Sequence, residues 1–67
     1  MPKKSDELDV NDRVVTLVDL PGVPKGTKGR IILRNGFEWI RYRVWFDTGT
    51  PNGVDVGSLD AKVLDRI

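Results

Sequence analysis

The 67-residue chain is predicted to be all-β, a small five-stranded barrel with one short helical turn before the last strand. Three observations carry this. First, residues 39–47, Trp-Ile-Arg-Tyr-Arg-Val-Trp-Phe-Asp, alternate apolar and polar on one parity, the period of a half-buried strand. Second, glycine, proline and asparagine clusters cut the rest into short extended runs. Third, nothing of helical period is long enough to be a helix. In so short a chain, five strands bury one core and protect their edges best by closing on themselves.

In chain order, residues 1–9 are polar, of mixed charge, and read as a flexible N-terminal tail; residues 10–67 read as the barrel domain. The first strand is expected from Arg13 to Leu20, with Val14 and Leu17 facing inward. Pro21-Gly22-Val23-Pro24-Lys25-Gly26 is a rigid loop, because proline fixes φ and glycine permits the turns. The second strand runs from Thr27 to Arg34, with Gly29, Ile31 and Leu33 on one face. Gly29 within it suggests a bend or close backbone approach. Asn35-Gly36 signals a tight hairpin turn. The third strand is residues 39–47, and Asp47–Gly53 makes a longer turn. A short fourth strand spans Val54–Val56, Gly57–Asp60 forms the helical turn, and Lys62–Asp65 closes the fold.

The third strand also supplies the candidate site. Ile40, Tyr42, Val44 and Phe46 share the core side, which leaves Trp39, Arg41, Arg43 and Trp45 together on the outside. Charge is segregated as well. Between Lys25 and Trp45 stand six bases against Glu38 alone, a net +5, whereas the rest of the chain carries −4. With the neighbouring strand's Lys28, Arg30 and Arg34, this forms a basic-aromatic face. A two-residue turn would set Arg30 opposite Arg41 and Lys28 opposite Arg43. A loop two residues longer sets Arg30 opposite Arg43 and Arg34 opposite Trp39. Either way like charges meet, at roughly 0.2–1 kcal/mol per pair, unless an anionic partner relieves them. The bland alternative is that arginine stems splay over the indoles and hold their heads in water. Tryptophan and arginine are also the residue types enriched at binding hot spots.

Catalysis is not expected. With no histidine and no cysteine, the commonest general base, zinc ligand and thiolate nucleophile are all missing, and no disulfide can form. Ser5 and Ser58 have no base beside them in sequence. Asp19, Asp47 and Asp55 match no calcium-loop spacing, so neither metal nor cofactor is expected. No run of about 18 apolar residues marks a membrane span and no secretion signal is visible, so a cytoplasmic protein is the expectation.

Asn11-Asp12-Arg13-Val14, then residues 19–31 from Asp19-Leu20-Pro21-Gly22 to Lys28-Gly29-Arg30-Ile31, then Tyr42–Asp47 resemble the SH3-like barrel of the electron-transport accessory group. That group includes the C-terminal domain of nitrile hydratase β subunits, the stromal E subunit of photosystem I and the variable chain of ferredoxin–thioredoxin reductase. The resemblance covers about residues 11–67 and implies a non-catalytic module that docks on a protein partner, here one with an acidic surface. Lys25-Gly26-Thr27-Lys28-Gly29-Arg30-Ile31 also resembles the KOW motif of ribosomal and transcription-elongation proteins, which implies RNA or single-stranded DNA as the alternative partner. A remoter resemblance, in Asp12-Arg13-Val14 and Leu64-Asp65-Arg66-Ile67, is to plasmid-borne type II dihydrofolate reductase. Val54-Asp55-Val56-Gly57 lacks that family's glutamine and tyrosine, so no catalytic residue carries over. Self-association is a third reading, since small barrels gain stability that way. The expected contact residues are Trp39, Arg41, Arg43, Trp45, Arg30, Lys28 and Arg34.

Overall fold

The computed structural model describes residues 8–67. Strands β1 (Arg13–Thr16), β2 (Lys28–Asn35), β3 (Arg41–Phe46), β4 (Val54–Leu59) and β5 (Leu64–Arg66) form one antiparallel sheet in the order β4-β3-β2-β1-β5. A 3-10 turn, Ala61–Val63, precedes β5. Among the described residues the fold is therefore all-β, with five strands and the short helical turn before the last strand that the sequence predicts. Val14, Ile31, Tyr42, Val44, Phe46 and Leu64 project from the strands into one core. A Cβ at Gly29 would come 2.5 Å from the Trp45 carbonyl oxygen and 2.9 Å from the Phe46 ring, so only glycine lets β2 lie this close to β3.

Several boundaries differ from the sequence expectation, each for a local reason. β1 ends at Thr16 rather than Leu20. The buried Thr16 hydroxyl donates to the Val18 carbonyl (2.7 Å) and accepts from the Val18 amide (3.3 Å), which folds the backbone back on itself. Val14 and Thr16 therefore face inward, and Leu17 is exposed rather than inward. Leu20 and Val23 then bond reciprocally around Pro21-Gly22, with Gly22 at φ 73°, and Val23 enters the core.

β2 shifts register between Ile31 and Leu33. One extra residue there reverses the facing of the rest of the strand. Ile31 is buried while both Ile32 and Leu33 are exposed, so Leu33 does not share Ile31's side. The hairpin turn is also longer than Asn35-Gly36. Asn35 stays in β2 opposite Arg41, and residues 36–40 form the loop. Gly36 at φ 102° is required, since a Cβ would fall 2.1 Å from the Trp39 carbonyl oxygen.

β4 continues through Gly57-Ser58-Leu59, where a helical turn is expected. A register shift between Tyr42 and Val44 and a positive φ at Ser58 (58°) absorb the bend within the strand. The helical turn starts after Asp60, whose side chain caps it by accepting from the Lys62 amide. β5 is correspondingly displaced to Leu64–Arg66. At the other end, Leu8 is fully buried, so packing begins before residue 10. Residues 1–7 of the tail expected at 1–9 lie outside the described residues.

Candidate binding surfaces

β3 separates its two faces as its alternation predicts. Tyr42, Val44 and Phe46 are buried; Arg41 and Trp45 are half-buried on the outer side and Arg43 is exposed there. Ile40 is half-buried against the core. Trp39 lies in the loop before β3 and is 73% exposed, so it does not continue the strand row.

The pairing between β2 and β3 corrects the expected arginine-to-arginine contacts. The five-residue loop sets Ile31 opposite Val44, and the shift after Ile31 sets Leu33 opposite Arg43 and Asn35 opposite Arg41. Arg30 faces Trp45, not Arg41 or Arg43, and Arg34 faces Tyr42, not Trp39. Three of the expected cations instead meet carboxylates. Arg43 Nη1 reaches Asp55 Oδ2 on β4 at 2.8 Å, and Arg34 Nη1 reaches Asp9 Oδ1 at 3.2 Å. Arg41 Nη1 sits 3.9 Å from Asp60 Oδ2 and donates to the Ile40 carbonyl at 3.1 Å. The like-charge pair exists elsewhere: Arg30 is directly opposite Arg13 across β1 and β2.

Trp45 is held by the turn after its strand. Its Nε1 donates to the Asn52 carbonyl at 2.9 Å. A Cβ at Gly53 would fall 2.4 Å from indole Cε2, so the turn backbone lies directly against the ring. Beside it, Arg13, Lys28, Arg30, Trp45, Asp47 and Ile67 border a groove of about 300 Å³. Among the described residues no carboxylate forms an ion pair with Arg13, Lys28 or Arg30. A wider open cleft between the loops around Gly22–Thr27 and Asp47–Thr50 gathers no comparable charge.

The single basic-aromatic face thus resolves into two surfaces. Lys28, Arg30 and Trp45 come together at the base of the β2–β3 hairpin with Arg13, which sequence reasoning missed. Arg13 precedes the inward Val14 and so points outward, but its partner across the sheet depends on the β1–β2 register. At the other end Trp39 stands with Phe37, which is 99% exposed and was also missed. It falls in the loop, where strand alternation gives no signal.

Among the described residues no helix is long and apolar enough to cross a membrane, and no three acidic, histidine or cysteine residues cluster as a metal site would need. No protein-family model matches the chain, and neither a curated protein nor a solved structure matches it.

Proposed function

We propose that the protein is a non-catalytic binding module that docks on a protein partner through the loop end of the β2–β3 hairpin. The observation that carries this is the exposure of Phe37 (99%) and Trp39 (73%) within one five-residue loop. Of the eight large apolar residues left exposed among the described residues, four lie from Ile32 to Trp39. Single exposed apolar residues need no explanation, but a cluster rimmed by polar groups is the mark of a contact surface. Here the rim is Arg34 with Asp9 and Arg41 with Asp60, already matched in charge. An apolar centre with a neutralised polar rim suits a protein surface better than a phosphate backbone.

Phe37→p-benzoylphenylalanine, irradiated in the source cell, tests this reading. A discrete protein adduct that disappears when Trp39→Ser is added is the expected result. Adducts with nucleic acid, adducts only with a second copy of the chain, or an adduct indifferent to Trp39→Ser would each overturn it.

A further inference from the structure

The groove at the base of the hairpin has a charge arrangement found nowhere else among the described arginines. Arg34, Arg41, Arg43 and Arg66 each lie 2.8–3.9 Å from a carboxylate oxygen. Arg13 and Arg30 do not, and they face one another directly across β1 and β2. Like charges in that position are unfavourable. Lys28 lies on the same outer face, opposite Val15. The single acidic side chain bordering the groove, Asp47, has its Oδ1 engaged by the Gly49 amide at 3.2 Å. Two guanidinium groups and one ammonium against one side-chain carboxylate leave a side-chain charge of +2, which a phosphate monoester dianion, or two successive phosphodiesters, neutralises and a single carboxylate does not. Paired guanidinium forks also match the oxygen geometry of a phosphate. The groove, about 300 Å³, has the Trp45 ring along one side to bound the ligand.

We propose that this groove is a phosphate-binding site in which Arg13 and Arg30 grip the phosphate oxygens and Lys28 adds charge. The phosphate is carried either by a small phosphorylated ligand or by the phosphodiester backbone of a single strand. The site does not depend on the docking proposal. Arg30 and Asn35 are five residues apart on β2, about 16 Å at strand rise, so either surface can fail alone.

The test is titration of ¹⁵N-labelled protein, at low salt, with pyrophosphate, with an oligothymidylate lacking terminal phosphates, and with a glutamate-rich peptide. The expected result is saturable shifts at Arg13, Lys28, Arg30 and Trp45 with at least one phosphate probe. Arg30→Gln and Arg13→Gln should each weaken that binding about 10-fold, roughly 1.4 kcal/mol. Arg43→Gln should leave it unchanged. Pyrophosphate binding alone assigns a small ligand; tighter oligothymidylate binding that falls steeply with salt assigns a strand. The proposal is overturned if neither phosphate probe shifts these amides. It fails equally if both glutamine variants bind like the parent, or if the acidic peptide binds as tightly as either phosphate probe.

Discussion

At the loop end of the β2–β3 hairpin the arginines have carboxylate neighbours and the aromatic rings have none to cover them; at the base the situation is reversed. Trp45 is bonded to Asn52 and covered by Gly53, while Arg13, Lys28 and Arg30 form no ion pair with an acid among the described residues. Both ends belong to the same hairpin, and Arg41, Arg43 and Trp45 share one outer row of β3, while the shift after Ile31 sets Arg34 across from the inward Tyr42. What separates them is the neighbourhood that the long-range fold brings to each. β4 and the 3-10 turn carry Asp55 and Asp60 toward Arg43 and Arg41, whereas β1 brings another arginine to Arg30. Facing along a strand tells which side chains point outward; only the register across strands tells what they meet.

The largest change would remove both ends at once. Phe46 is fully buried beneath the hairpin, and Phe46→Ala is expected to cost about 3–5 kcal/mol. A domain of this size has roughly that much stability in total. Chemical denaturation should find the variant largely unfolded, with both surfaces lost. A folded Phe46→Ala protein that keeps one surface would mean that the two ends do not share a core.

The fold was legible because it arises from local pattern. The alternation in Arg41–Phe46, the glycine-rich turns and the absence of helical period gave an all-β chain of five strands with one helical turn. Boundaries were less legible where a side chain or an extra residue interrupts the pattern. The Thr16 hydroxyl ends β1, Ile32 reverses the facing of Leu33, and a left-handed Ser58 takes up a bend inside β4 where glycine and serine suggested a helical turn. The outward parity of Arg41, Arg43 and Trp45 was legible too. Their partners were not, because Asp55, Asp60 and Arg13 reach them only through pairings between segments distant in sequence.

A smaller change would make the base resemble the loop end. Gly53 has φ 62°, and a Cβ there would overlap the Trp45 indole. Gly53→Ala is expected to cost about 1–3 kcal/mol and to push the ring outward. In a Trp39→Phe background, fluorescence reports Trp45 alone, and its emission should shift to the red. An unshifted emission would mean that the turn does not shield the indole.

Two arginine substitutions should move stability in opposite directions. Arg13→Gln relieves the repulsion with Arg30 while leaving Arg30 beside Trp45, and should stabilise by about 0.2–1 kcal/mol. Arg43→Gln gives up a half-exposed ion pair with Asp55 and should destabilise by about 0–1 kcal/mol. Both effects should shrink with added salt. If Arg13→Gln destabilises at low salt, the unrelieved repulsion at the base does not exist.

The smallest effect is expected at Trp39, and its smallness is the informative part. A ring 73% exposed gives up little contact with the fold when removed, and the unfolded chain exposes it as well. Trp39→Ser should therefore change the unfolding free energy by no more than about 0.5 kcal/mol. The adjacent Ile40, packed against the core, supplies the internal contrast and should cost more on truncation to alanine. A loss above about 1 kcal/mol for Trp39→Ser would show the indole bearing on the fold itself. Near-neutral stability combined with loss of the position-37 crosslink would assign the ring to a partner, because a residue that contributes nothing to folding has no other way to affect that adduct.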